Sequence, residues 1–237
     1  MTLSQKVTRM RFGFLVLLGA VLFASPQAKG QDFNYTLQHD SVAWQPLNSL
    51  TLLNLVNTPW ETSYRVSLGF SFPFLGQTFD SVTVASNGSL SFDANKRYSM
   101  IMYHTFGNVQ DTSGNWSVLG YSLTGDSGAR ILTIQYTNVA DLVFPNKSLS
   151  YQILIHENGI IDVISGTLSQ AIIQDSLSGY CAIGLVNVQM DSPVSGLFVD
   201  LGASGYQTQQ ITEANSSIPQ LSILPITGKR FRFIPNP

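Results

Sequence analysis

The residues able to do acid–base or nucleophilic chemistry are few and scattered. The histidines are His39, His104 and His156, the glutamates Glu61, Glu157 and Glu213, and the one cysteine is Cys181. A hydrolase needs a nucleophile with its base, or two carboxylates set across a scissile bond. No G-x-S-x-G occurs. His156-Glu157 runs into Asn158-Gly159 with no second histidine, so the two-His zinc helix is missing. His156 reads as a solvent-facing strand end, and His39 and His104 as structural. A jelly-roll glycosidase with nucleophile and acid on one strand face would show Glu and Asp two residues apart. No glutamate here has an acid two or four residues away. Carboxylates distant in sequence can still converge, so a divergent secreted hydrolase stays as an alternative. Cys181 lies in the apolar run Tyr180–Leu185 and reads as a buried structural thiol, and a lone cysteine makes no intrachain disulfide. The chain therefore reads as a non-enzyme with no catalytic residue to assign.

Two further sets bear on binding. Asp111, Asn115 and Asp126 offer hard oxygens to Ca²⁺, but their spacing matches no calcium loop and reads as polar loop, so no metal and no cofactor are expected. Tyr98, Tyr103, Trp116 and Tyr121 are the candidate ligand-binding residues. Exposed aromatics stack on sugar rings because they combine flat apolar area with a polar edge. The competing reading has the same side chains filling the core or capping a sheet. Asn-x-Ser/Thr occurs at Asn34, Asn87, Asn115, Asn146 and Asn215, a motif that arises freely in an Asn- and Ser-rich chain.

These residues must be carried by strands. From Tyr64 to Phe74 the apolar residues fall on even positions (Tyr64, Val66, Leu68, Phe70, Phe72, Phe74), with Arg65, Ser67, Gly69, Ser71 and Pro73 between them. Period-2 alternation marks a strand with one buried face. The following Asn87-Gly88 suggests a two-residue turn, but that register sets Val84 against Ser91. A three-residue loop, Ser86-Asn87-Gly88, pairs Val84 with Leu90 and Val82 with Phe92 and keeps one face apolar. A one-residue slip flips every side chain, so the three-residue loop with a left-handed Gly88 is preferred. The same parity recurs later, where Glu157-Asn158-Gly159 pairs Ile155 with Ile161 and Ile153 with Val163.

The first 30 residues read as a cleaved signal peptide. Lys6, Arg9 and Arg11 precede the 13-residue apolar run Phe12–Ala24, and Ala28-Lys29-Gly30 offers a cleavage site before Gln31. The run falls short of the roughly 20 residues that span a bilayer. Removing residues 1–30 takes Lys+Arg from 12 to 8 and leaves Asp+Glu at 14, so residues 31–237 carry about six net negative charges. No transmembrane segment and no basic surface for nucleic acid remain; Lys229-Arg230 reads as a solvated strand end. The expected destination is secreted or cell-surface, with the periplasm possible.

Residues 31–237 read as one domain. Asp32–Leu37 reads as a first strand and 42–56 as holding a short helical turn. Strands follow at Tyr98–Phe106, Trp116–Leu123, Ala129–Val139, Tyr180–Val188, Leu197–Leu201 and Lys229–Ile234, with a short helix or crossover at Ala171–Ser178 and a long loop or edge excursion at 202–220. About ten strands with little helix predict an all-β, antiparallel β-sandwich of jelly-roll-like type. An outer-membrane barrel would need more strands of about ten residues with aromatic girdles.

The string FSFPFLGQTFDSVTVASNGSLSF (70–92), the run Arg130 to Val139 (RILTIQYTNV) and the run Gln152 to Ile160 (QILIHENGI) resemble the nidogen-type (NIDO-like) β-sandwich module of extracellular matrix and bacterial surface proteins. The resemblance covers about residues 64–188. It implies recognition or adhesion outside the cell rather than catalysis, with a protein or a surface polysaccharide as partner. A carbohydrate-binding module using the aromatic set is the second reading.

Overall fold

The structure is a computed structural model that describes residues 33–53, 62–95, 98–104, 106–107, 110–141, 144–169, 181–187, 195–202, 205–211, 218–221 and 224–237. The proposed signal peptide and the segment Ala171–Ser178 lie outside the described residues. Those described form two antiparallel sheets and no helix.

In chain order the strands are β1 (Tyr35–Ser41), β2 (Thr51–Leu52), β3 (Ser63–Phe74), β4 (Gln77–Ala85), β5 (Leu90–Ser91), β6 (Tyr98–His104), β7 (Phe106–Gly107), β8 (Val118–Thr124), β9 (Ile131–Asp141), β10 (Ser148–His156), β11 (Ile161–Leu168), β12 (Cys181–Asn187), β13 (Ser195–Gly202), β14 (Gly205–Ile211) and β15 (Lys229–Pro235). The first sheet runs β1-β15-β11-β10-β9-β8-β2, with β7 also on β9; the second runs β14-β13-β12-β6-β5-β4-β3. The sandwich is as expected; of its fifteen described strands against about ten expected, β2, β5 and β7 have two residues each and carry no periodicity to read. Within 202–220, expected as a long loop or edge excursion, residues 205–211 form an edge strand paired with β13 from Gly202↔Gly205 to Gly196↔Ile211. Gln207 to Gln210 are exposed, so the strand shows no apolar alternation, while Tyr206 packs on the core and Ile211 is buried.

The sheets face each other across one apolar core. Val66, Leu68, Phe70, Phe72 and Phe74 of β3 are all buried, as the alternation requires. Against them lie Leu132, Ile134 and Tyr136 of β9, Ile153 and Ile155 of β10, and Phe231 and Phe233 of β15, all fully buried. Burying each such side chain stabilises the fold by about 1.5–3 kcal/mol. Both hairpins adopt the predicted register: Val84 opposes Leu90, and Ile155 opposes Ile161. Gly88 (φ 87°) and Gly159 (φ 92°) hold the left-handed position that closes each three-residue loop.

Residues 42–50 explain the outer face of the first sheet. They leave β1 at one edge and arrive at β2 on the other, crossing β11, β10, β9 and β8 on the way. Trp44 lies over Gly166 of β11. Gln152 Nε2 on β10 donates to the Gln45 carbonyl at 2.9 Å, and the Leu47 amide donates to Gln135 Oε1 on β9 at 2.8 Å. Leu50 then packs on Gly120 of β8. The six strand spacings between β1 and β2 total about 29 Å. The ten residue steps from 41 to 51 reach about 33–36 Å when extended. A helical turn, rising about 1.5 Å per residue, would leave the strap too short. Residues 42–53 are accordingly non-helical, so the short helical turn expected within 42–56 does not form among them; residues 54–56 lie outside the described residues. The strap buries Gln135 and Gln152, which bond each other at 2.7 Å beneath it.

Candidate functional site

Three groups of charged side chains turn out to hold the sandwich together. Arg130 precedes β9, and Glu157 occupies the β10–β11 turn. Arg130 Nε donates to Glu157 Oε2 at 3.1 Å and Nη2 to Oε1 at 2.5 Å, while Nη1 donates across to the Gly69 carbonyl in the other sheet. The guanidinium also sits 5.7 Å from the Phe70 ring centre. Gly69 (φ 73°) lies where the β3–β4 ladder slips between Ser67 and Phe72. With that guanidinium hydrogen-bonded beside it, the Glu157 carboxyl drops from its ordinary 4.5 to about 2.

The second group is on the outer face. Asp162 is 1% exposed. Arg232 Nε and Nη2 donate to its two oxygens at 2.7 and 2.8 Å, and His156 Nε2 lies 3.0 Å from Oδ2. Burial raises the Asp162 carboxyl, but Arg232 and His156 outweigh it and leave it below the usual range. His156 is therefore not the solvent-facing strand end expected; its side chain is 17% exposed, because Asp162 draws it onto the sheet. Nor is Lys229-Arg230 freely solvated: Arg230 pairs with Asp40, and Lys229 Nζ lies 2.9 Å from His39 Nδ1. Nε2 of His39 in turn lies 3.1 Å from the Tyr206 carbonyl of β14, so this histidine joins the edges of both sheets.

The third group is the loop before β8. Asp111 accepts from the Ser113 and Asn115 amides at 2.8 Å each and from Asn138 Nδ2 at 3.0 Å. These bonds, the Asn115 amide foremost, lower its carboxyl pKa. An oxygen pair so occupied by N–H donors is organised for the loop itself. No group of three or more His, Cys, Asp or Glu able to hold a metal ion occurs among the described residues. Cys181 is buried with its thiol pushed up to about 12 by desolvation.

Among the described residues, the outer face of β3, β4 and β5 is open to a ligand. A groove of about 430 Å³ lies there. Its floor follows the cross-strand row Arg65↔Thr83↔Ser91 and the neighbouring Ser81. Arg65 Nη2 and Nε donate to Ser81 Oγ at 2.9 and 3.2 Å, and Ser81 Oγ donates to Asp80 Oδ1 at 2.9 Å. Phe79, half-buried against the core, gives the groove an apolar side.

A model of the NIDO-related family matches residues 34–235. The chain belongs to the NIDO-related family. No curated protein and no solved structure matches it. The residues that carried the resemblance now have physical roles in this NIDO-related sandwich. Arg130 and Glu157 are one ion pair, Tyr136 donates its hydroxyl to the Ala85 carbonyl of the other sheet at 2.7 Å, and Asn138 (φ 52°) bends β9 toward the Asp111 loop.

The four aromatics do not share one sheet in this NIDO-related chain. Tyr98 and Tyr103 lie on β6, paired with Asn187 and Ala182 of β12. Tyr121 lies on β8 of the opposite sheet and packs on the core. Trp116 is half-buried beside β8, bridged to Gln110. Sequence reasoning passed over Arg65, Asp80 and Ser81 as binding residues. The signal was present, since Arg65 and Ser67 occupy the odd, outward positions of β3, but attention to the apolar set left the polar face unread.

Proposed function

We propose that this chain is an exported, non-catalytic recognition module acting outside the cell or at its surface, with a protein or a surface polysaccharide as partner. The observation that carries this reading is the commitment of the charged motif residues to the scaffold. Arg130, Glu157, Asp162 and Arg232 are bonded to one another across turns and strands, and none is held ready for proton transfer. Membership of the NIDO-related family over nearly the whole chain supports an extracellular setting. The apolar leader of residues 12–24 supports export. No helix among the described residues is long and apolar enough to cross a membrane.

The test expresses the full chain, determines the N-terminus of the exported product and measures adhesion of displaying cells to immobilised matrix proteins and polysaccharides. A product beginning at Gln31 and adhesion above non-displaying cells are expected. Retention in the cytoplasm, or equal adhesion of both cell types, would refute the reading.

A further inference from the structure

We infer that the groove over β3, β4 and β5 binds a neutral, hydroxyl-rich glycan, with Arg65 and Asp80 as its polar anchors. The inference rests on the recognition reading above and narrows its ligand. Of the four arginines described, Arg130, Arg230 and Arg232 each pair with a carboxylate. Arg65 is exposed and bonds only the Ser81 hydroxyl, which takes two of its five N–H groups. Three donors are thus left on a planar fork that lines the groove. Asp80 is exposed too, and its Oδ1 alone is engaged, by Ser81; Oδ2 is open as an acceptor. The bond chain Arg65–Ser81–Asp80 holds donor and acceptor side by side without neutralising either directly.

The rest of the lining fits the same ligand. Ser71, Thr78 and Thr83 add hydroxyls, each of which both donates and accepts, as sugar hydroxyls do. Phe79 supplies apolar area for the C–H face of a ring. The volume, about 430 Å³, is within the range of small-ligand sites. Charge favours a neutral ligand: among the described lining residues the Arg65 guanidinium is joined through Ser81 to the Asp80 carboxylate. An acidic polymer drawn to Arg65 would also meet Asp80, whereas a neutral polyol satisfies Arg65 and Asp80 together through charge-assisted hydrogen bonds.

The experiment is binding of the purified protein to arrayed neutral oligosaccharides (gluco-, manno- and galacto-oligomers) and to uronic-acid oligomers, with Arg65→Ala, Asp80→Asn and Trp116→Ala variants of matched melting temperature. Binding to a neutral oligomer that falls at least about tenfold in Arg65→Ala and in Asp80→Asn is expected, one charge-assisted hydrogen bond being lost in each. Trp116→Ala is expected to bind as the wild type does. Preference for uronic acids, binding that survives both groove substitutions, or loss confined to Trp116→Ala overturns the assignment. Adhesion to protein matrix without binding to any neutral oligomer overturns this inference and leaves the recognition reading standing; loss of both removes both.

Discussion

Arg130 and Glu157, 27 residues apart, meet in a two-point ion pair that also reaches the Gly69 carbonyl of the opposite sheet. One guanidinium therefore joins the β9 entry, the β10–β11 turn and the irregularity in β3. Because the Glu157 carboxyl falls from 4.5 unfolded to about 2 folded, its contribution is present in full above about pH 4.5 and is lost as the pH falls toward 2. Melting temperatures of wild type and Glu157→Gln recorded across that window should converge as the pH drops. Curves that stay parallel would mean that the pair adds nothing to stability.

The two arginines of β15 should differ sharply. Arg232 bonds both oxygens of a buried carboxylate, and Arg230 bonds Asp40, whose side chain is 52% exposed. Arg232→Ala leaves Asp162 buried with His156 alone and should cost about 3 kcal/mol. Arg230→Ala should cost less than about 1 kcal/mol. Urea unfolding of the two variants measures both, and equal losses would contradict the account of the outer face.

Gly166 sets the height of the strap. A Cβ there would lie 2.6 Å from Trp44 Cζ2 and 2.8 Å from the Ser150 carbonyl. Gly166→Ala should therefore push the indole outward and destabilise by about 1–3 kcal/mol through overpacking. In a Trp60→Phe, Trp116→Phe background the Trp44 emission should shift to the red. Unchanged emission would place the ring elsewhere.

Cys181 should be inert in the native protein. Its thiol is buried and raised to about 12, so thiolate is scarce at pH 8. Alkylation at pH 8 should proceed only after denaturant is added. Labelling of the native chain at the rate of a free thiol would show that β12 opens.

What the sequence made legible was local and periodic. The even positions of β3 declared its buried face, and two Asn-Gly loops declared their registers through the apolar residues on either side. The strap was not legible, because its residues answer to partners such as Gln135 and Gln152, 88 and 107 positions away, and show no period of their own. His156 was misread for the same reason: its environment is set by Asp162 and, through it, by Arg232 on the last strand. The groove could be seen only once β3, β4 and β5 were set side by side, since Arg65, Ser81 and Ser91 are unremarkable polar residues within their own strands.

The pairing of β1 with β15 has a mechanical meaning. Tyr35 opposes Pro235 and Ser41 opposes Lys229, and just beyond them Asn34 and Asn236 exchange hydrogen bonds. Residues 34 and 236 therefore leave the sandwich side by side. A load pulling them apart acts along the hydrogen bonds, opening the pairs one after another like a zipper instead of loading them together in shear. The fold yields at its seam under such tension, while the same closeness of its two ends suits a module carried as an insertion on a host chain without stretching it.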